Sequence, residues 1–124
     1  MRPRDIQSVR GITIILAAAD PERFRTALVL ALSQAALGGR ARIFLQERSV
    51  ALLNGDDAAD YAAAGLPGRA TMLADALDAG VEIIGCQSGL ALVNAAAGDF
   101  DPRISWGGMV GLLQSLADDR LVIV

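Results

Sequence analysis

The sequence contains no histidine and no lysine, and these two absences exclude much of enzyme chemistry. All eleven positively charged side chains are arginine. The chain therefore has no histidine ligand for a metal, no lysine for a Schiff base or a phosphate loop, and no Ser-His or Cys-His pair. We predict no metal site and no cofactor.

Cysteine, aromatic residues and net charge are also scarce. The single cysteine, Cys86, excludes an intrachain disulfide, and nothing in the sequence indicates an oxidising compartment. The net charge is −3 and no run of arginines forms a basic stripe, which argues against a nucleic-acid partner. No apolar run reaches the roughly twenty residues that a membrane-spanning helix needs. Aromatic residues make up only 4%, so the core must come from leucine, isoleucine and valine.

The first nineteen residues resemble a secretory signal, with a basic stretch at 1–10 and an apolar stretch at 11–19. The apolar stretch is short for such a signal and rich in β-branched residues. It leads directly into a helix with Asp20 as a predicted N-cap and Pro21 at the first helical position. We therefore interpret it as the first strand of the domain.

Short apolar runs alternate with longer segments of helical periodicity along the whole chain. The predicted strands are residues 11–17, 41–46, 81–85, 103–106 and 121–124. The predicted helices are residues 21–37, 48–53, 71–79, 88–97 and 109–116. This alternation predicts one α/β domain over residues 1–124, a three-layer α/β/α fold with a mainly parallel five-stranded sheet.

Residues 54–68 are the least regular segment. They begin with an Asn-Gly turn, end with Pro-Gly and carry Asp56, Asp57 and Asp60. We predict a mobile surface loop, in which the three carboxylates are solvated and too loosely arranged for a metal site.

In an open parallel sheet, ligands and chemistry gather at the carboxyl ends of the strands. The side chains that follow the predicted strands include Asp20, Arg48, Cys86 and Trp106. Cys86 is the only strong nucleophile among them. Arg48 is either a solvated charge or a group that attracts an anionic sulfur donor.

Cys86 lies just before a predicted helix, where unpaired N–H groups would stabilise a thiolate or a persulfide anion. Ser88 is the predicted N-cap of that helix, and Gly89 would allow a backbone or a sulfur donor to approach closely. The alternative is a lone cysteine that fills space at the end of a strand, since free cysteine is among the most buried residue types.

Each of the other candidate site residues has two interpretations. Gln87 and Ser88 could hydrogen-bond a sulfur adduct, although an N-cap alone would explain Ser88. Trp106 either roofs a pocket or covers the core at a strand end. Gly107 and Gly108 form either an anion-binding nest or a tight turn from strand to helix, and we favour the turn.

The run Gly-Val-Glu-Ile-Ile-Gly-Cys-Gln-Ser from Gly80, followed by Trp106-Gly107-Gly108 and a closing apolar strand, resembles the DsrE/DsrF-like family. It is most similar to the branch with a Cys-Gln-Met-Ser type motif, although Ser88 here follows Gln87 directly. The resemblance implies a flavodoxin-like fold, homo-oligomers and a role in cytoplasmic sulfur trafficking. In this resemblance Cys86 matches the sulfur-carrying cysteine, and Gly107 and Gly108 match the family's glycine pair.

Two functions follow from this resemblance. In the first, the protein is a sulfur carrier with sulfurtransferase-like activity that holds sulfane sulfur as a persulfide on Cys86. It would receive sulfur from a donor protein or a small persulfide and pass it to an acceptor. In the second, it is a non-catalytic assembly or small-ligand-binding subunit, as are relatives that lack the cysteine.

Overall fold

The computed structural model describes residues 9–124, so residues 1–8 of the basic stretch at 1–10 lie outside the described residues. The strands are β1 (Ile12–Leu16), β2 (Ala41–Leu45), β3 (Glu82–Cys86), β4 (Ser105–Gly107) and β5 (Arg120–Ile123). All neighbouring strands are parallel, and their spatial order is β4-β3-β2-β1-β5. The sheet and its helices confirm the predicted three-layer α/β fold, which is consistent with a flavodoxin-like architecture.

Helices connect the strands in sequence. The α-helices are α1 (Pro21–Ala36), α2 (Ala58–Tyr61), α3 (Arg69–Asp78), α4 (Gln87–Leu92) and α5 (Met109–Gln114). The 3-10 helices are Glu47–Leu53, Ala62–Ala64 and Ala97–Asp99. The carboxylate of Asp20 accepts hydrogen bonds from the amides of Glu22 and Arg23 at 2.9 and 3.3 Å, which confirms the predicted N-cap of α1.

Helix α4 is shorter than the sequence predicts, because it ends at Leu92 instead of continuing to residue 97. Asn94 adopts a left-handed conformation with φ of 54°. The amide of Ala95 then donates to the carbonyl of Leu90 at 2.9 Å, which closes the helix end. Asparagine is one of the few residues that adopt this conformation readily, so it takes the terminating role that glycine more often has.

The two faces of the sheet are covered unequally. Successive steps from β1 to β4 run in one direction across the sheet, and right-handed crossovers place α1, α3 and α4 on one face. Ile14, Leu16 and Ile43 are fully buried there. The connection from β4 to β5 returns across the sheet, and its only α-helix, α5, covers the second face with Leu112.

A buried polar cluster ties the second face together at the amino end of the sheet. The Thr13 hydroxyl donates to the Asp119 carboxylate at 2.8 Å, and Arg42 Nε donates to Thr13 Oγ1 at 2.9 Å. The Arg42 guanidinium also donates to the Leu112 carbonyl and to Ser115 Oγ on and beside α5. The side chains of Arg42 and Asp119 are each 3% exposed, and their charged atoms lie 3.8 Å apart.

Burial is the main cause that lowers the pKa of the Arg42 guanidinium, and the nearby positive charge of Arg40 adds to it. Glu82 and Asp119 oppose this effect with their negative charges. Arg40 Nε lies 3.2 Å from the Asp119 carboxylate, so Asp119 compensates two guanidinium groups. Removing this carboxylate would leave the buried Arg42 charge with Glu82 as its remaining compensation.

The segment 54–68 contains the helical turns Ala58–Tyr61 and Ala62–Ala64 and contacts α1. The Arg25 guanidinium lies 3.7 Å from the centre of the Tyr61 ring and donates to the Pro67 carbonyl at 2.8 Å. A cation over an aromatic face is attracted by the ring quadrupole. These contacts attach the far half of the segment to α1, while its mobility stays a prediction.

Two of the three aspartates in this segment hold the start of α3. Asp57 Oδ1 accepts from the amide of Arg69 at 2.7 Å, and Asp56 Oδ1 accepts from the amide of Ala70 at 3.2 Å. Asp57 also lies 3.6 Å from the Arg69 guanidinium. The interpretation of Asp56 and Asp57 as merely solvated is therefore wrong. Gly68 precedes the helix and has no side chain to cap it, so carboxylates twelve or more residues earlier take that role.

We expect Asp57→Ala to lower the free energy of unfolding by about 1–2 kcal/mol, because the Arg69 amide at the start of α3 loses its capping acceptor and the Arg69 guanidinium loses its ion pair. Asp60→Ala serves as the matched control, since Asp60 is exposed, and its effect should stay within about 0.5 kcal/mol. Urea unfolding followed by circular dichroism measures both. Equal effects for the two variants would contradict the capping role.

Candidate functional site

The carboxyl ends of the strands form one edge of the sheet, and Cys86 lies at this edge as the last residue of β3. In the register of the sheet, Cys86 pairs with Gly107 of β4. On its other side, Gly85 pairs with Leu45, so Gln46 directly after β2 is the next neighbour of Cys86. The predicted position of the cysteine is confirmed.

The side chain of Cys86 lies on the face of the sheet that α5 covers. Successive strand residues point to opposite faces, and Cys86 shares its face with Ile84, Glu82 and, across the sheet, Arg42. Cys86 is a free thiol and is 7% exposed. It is thus buried next to apolar side chains but not fully enclosed.

The junction between β3 and α4 has no loop. Helix α4 begins at Gln87, Cys86 occupies the N-cap position, and no side chain caps the first turn. The prediction that Ser88 is the N-cap is wrong, because β3 leads directly into the helix and places Ser88 within its first turn. Gln87 and Ser88 are both exposed. Cys86 is itself the N-cap residue, so its sulfur accepts no hydrogen bond from the first-turn amides among the described residues, and their stabilisation of a sulfur anion stays a prediction.

Gly89 is the contact point between α4 and the 3-10 helix Glu47–Leu53. A Cβ atom at this position would collide with the Glu47 carbonyl oxygen and lie 2.9 Å from Val50 Cγ1. The close approach that the sequence predicts for Gly89 is therefore made by another part of the same chain. Its use in binding a sulfur donor stays a prediction.

Trp106 lies on the face opposite to the Cys86 side chain. It pairs with Gly85, whose missing side chain leaves room for the indole ring. The ring centre lies 5.1 Å from that of Phe100 at an angle of 58°. Of the two interpretations of Trp106, this geometry favours the one in which the indole ring covers the core at the end of a strand.

Gly107 and Gly108 make the turn from β4 into α5, with Gly108 at the N-cap position. This geometry favours the interpretation of the two glycines as a tight turn from strand to helix. Both glycines line a groove of about 130 Å³ between β3, β4 and α5. Ile84 and Glu82 of β3 also line it. Cys86 is not itself a lining residue, but its register partner Gly107 is. The size of the groove suits a ligand of only a few atoms, since one water in the liquid occupies about 30 Å³.

A second cavity at the same edge was not predicted from the sequence. It measures about 220 Å³ and is lined by residues 17–19 and 46–49. Glu47 in its wall adopts a left-handed φ of 46°, which is uncommon for a residue other than glycine. The three consecutive alanines after β1 are the only sequence signal, because their small side chains leave the space open.

Arg48 extends along α4, and its guanidinium lies 3.5 Å from the Leu92 carbonyl. This contact is at the end of α4 remote from Cys86. The geometry therefore favours Arg48 as a solvated surface charge over Arg48 as a group that attracts a sulfur donor. Among residues 9–124, no group of three histidine, cysteine, aspartate or glutamate side chains could hold a metal ion. No helix in this part of the chain is long and apolar enough to cross a membrane.

No protein-family model matches the chain, and the search of curated proteins also gives no match. The resemblance to the DsrE/DsrF-like family therefore depends on the motif around Cys86 and on Trp106-Gly107-Gly108.

Proposed function

We propose that the protein is a sulfur carrier that holds sulfane sulfur as a persulfide on Cys86. The observation that carries this proposal is the position of the only cysteine: at the carboxyl edge of a parallel sheet, at the uncapped start of a helix. Ligands of open parallel sheets bind at this edge. The Gly-Val-Glu-Ile-Ile-Gly-Cys-Gln-Ser motif adds the resemblance to sulfur-relay proteins.

The proposed reaction consists of two thiol exchanges. The Cys86 thiolate attacks the outer sulfur of a donor persulfide, a new S–S bond forms, and the donor leaves as a thiolate. An acceptor thiolate then attacks the outer sulfur on Cys86, and the Cys86 thiolate leaves. Neither exchange needs an oxidant, a reductant or a metal.

The groove beside Cys86 supports a small donor or the sulfur-bearing tip of a larger one. It measures about 130 Å³ and opens between Ile84, Gly107 and α5. Because Cys86 is 7% exposed, a donor must reach the sulfur along the edge of the sheet or through this groove. Gln87 and Ser88, both exposed beside Cys86, are the proposed polar contacts of the bound sulfur.

We expect native protein incubated with a small persulfide donor to gain the mass of one sulfur atom, and a reductant to remove it. Cys86→Ser should gain nothing, because it removes the nucleophile. Ser33→Ala is the matched control and should still load sulfur, since Ser33 is exposed on α1 and its hydroxyl donates to the Val29 carbonyl of the same helix. Intact-mass spectrometry measures all three. If native protein forms no adduct with donors of several sizes, the carrier function is wrong.

A non-catalytic assembly or ligand-binding subunit is the second candidate, and two observations favour it. Cys86 is mostly buried, and Val110 and Ile123 are 73% and 66% exposed although apolar. Exposed apolar patches often mark interaction sites. This candidate predicts that an alkylating reagent modifies Cys86 only after unfolding, whereas the carrier function requires modification of the native protein.

We further propose that the protein acts in the cytoplasm as a homo-oligomer. A reducing compartment keeps a lone cysteine as the thiol that sulfur exchange needs. The proposed partners are sulfur donor and acceptor proteins or small persulfides.

A further inference from the structure

Within residues 9–124, β5 is the last strand of the sheet and pairs only with β1, so no described strand lies along its outer edge. An open edge presents unpaired N–H and C=O groups to other chains, and proteins usually protect such edges with charges, proline or a covering loop. The sequence Leu-Val-Ile-Val at residues 121–124 contains none of these residues. The one charged side chain of β5, Arg120, instead lies 3.3 Å from the Arg10 carbonyl and 3.4 Å from Gln34 Oε1 of its own chain.

The hydrogen bonds between β1 and β5 determine which groups of β5 face outward. The amide of Arg120 donates to the Gly11 carbonyl at 2.8 Å, and the amide of Val124 donates to the Ile15 carbonyl at 2.9 Å. Because bonding to one neighbour uses alternate residues of a strand, Val122 also faces β1. The N–H and C=O groups of Leu121 and Ile123 therefore point away from the sheet, and no hydrogen bond from residues 9–124 is made to them.

The same two residues carry exposed apolar side chains. Leu121 is 43% exposed and Ile123 is 66% exposed. They pair in register with Thr13 and Ile15, so their side chains lie on the face that α5 covers. The outward main-chain groups and the exposed side chains of Leu121 and Ile123 thus lie together at the β5 edge of the sheet.

Helix α5 extends this apolar surface toward β5. Gly111 lines the groove on the β3 side of the helix. Leu113 lies about 200° further round the helix axis and therefore on the β5 side. Leu113 is 48% exposed and Val110, on the outer surface of α5, is 73% exposed. Leu121, Ile123, Leu113 and Val110 together are called the edge patch below.

We propose that two copies of the chain pair through β5, antiparallel, about a two-fold axis that passes between their Val122 residues. In this register Leu121 lies opposite Ile123 of the second copy. Each such pair exchanges two main-chain hydrogen bonds, and the two-fold axis repeats the exchange. The outward groups of one copy thus satisfy those of the other, and the two sheets become one of ten strands.

A second copy fits this edge because the strand is self-complementary in both backbone and side chains. A two-fold axis perpendicular to the sheet puts α5 of both copies on the same side. The two edge patches then meet across the seam, and Leu121 contacts Ile123 of the second copy as a cross-strand apolar pair. With so few side chains, the contact is smaller than the 20–30 residues a side of a standard interface, so we expect a concentration-dependent dimer.

Amide hydrogen exchange by NMR tests the pairing directly. In the dimer, the Leu121 and Ile123 amides should exchange slowly, and dilution to monomer should make their exchange fast. The Val122 amide is the internal control, because it bonds to β1 in both states. A dimer in which Leu121 and Ile123 stay unprotected would overturn the proposal.

Substitution gives an independent test by sedimentation velocity over a range of concentrations. Ile123→Lys should raise the dimer dissociation constant by about 100-fold or more, because it places two charges in the apolar seam. Leu37→Lys is the matched control, since Leu37 is 68% exposed and lies beyond the end of α1. It should dimerise like the native chain. A native chain that stays monomeric at all concentrations, or equal effects of the two lysines, would show that the proposal is wrong.

This inference extends the proposed homo-oligomer and is independent of sulfur loading. Cys86 lies on β3, three strand spacings or about 14 Å from β5. Ile123→Lys should therefore still gain one sulfur atom on Cys86. If Ile123→Lys no longer dimerises but still gains sulfur, the β5 edge is the dimer contact and the carrier function is unaffected. If the native chain dimerises but gains no sulfur, the carrier function is wrong and the dimer contact is unaffected.

Discussion

Asp119→Asn should lower the free energy of unfolding by about 3 kcal/mol, because it removes the buried carboxylate that contacts the Arg42 guanidinium and leaves Glu82 as the remaining opposite charge. The asparagine keeps an oxygen for the Thr13 hydroxyl, so packing and that hydrogen bond change little. The lost quantity is charge compensation, at a site where both side chains are 3% exposed. Urea unfolding followed by tryptophan fluorescence, with Trp106 as the probe, measures the effect.

Asp118→Asn is the matched control for this prediction. Asp118 is exposed, and Arg10 Nε contacts only its backbone carbonyl. Its substitution should change stability by less than about 0.5 kcal/mol. If both asparagine variants unfolded at the same urea concentration as the native protein, the ion pair would contribute nothing to the fold.

Gly89→Ala should destabilise the protein by about 1–3 kcal/mol, although alanine is the better helix former. The added methyl group meets the Glu47 carbonyl oxygen, a backbone atom that cannot rotate away. Helix α4 must then shift away from the 3-10 helix Glu47–Leu53. Since Cys86 is the N-cap of α4, we also expect slower sulfur loading. Thermal unfolding and the mass assay measure the two effects.

Gly98→Ala is the control, because no atom lies within 4 Å of the Cβ position at Gly98. This variant should unfold and load sulfur like the native protein. If Gly89→Ala were as stable as Gly98→Ala, the contact between α4 and the 3-10 helix would have to be loose.

The sequence predicts the sheet well because its signals are local. All strands except β4 are short, mainly apolar runs. The first helix begins with an aspartate and a proline whose capping geometry the structure reproduces. The end of α4 was not predicted, because Asn94 ends the helix by adopting a left-handed conformation that apolar periodicity does not indicate.

The candidate site was predicted in position but not in detail. The alternation of strands and helices was enough to place Cys86 at the carboxyl edge. The side of the sheet that Trp106 covers depends on its register with Gly85, which the sequence does not show. The sequence also does not show whether a loop separates β3 from α4, and the predicted role of Ser88 as N-cap depended on such a loop.

Interactions between distant residues were beyond sequence reasoning. The capping of α3 by Asp56 and Asp57 spans the irregular segment 54–68. The Thr13–Asp119 hydrogen bond joins residues 106 positions apart. Such partners are fixed by the fold as a whole, and no local pattern identifies them.

The central position of β1 has a consequence for how the chain folds. One edge of β1 pairs with β2 soon after the first helix, but the other edge pairs only with β5, more than 100 residues later. During synthesis, therefore, an apolar strand keeps one side open until nearly the whole domain has emerged from the ribosome. Closing so long a loop is slow, and an open apolar edge promotes aggregation meanwhile. Nascent chains that stop before residue 120 should therefore be those that most need a chaperone.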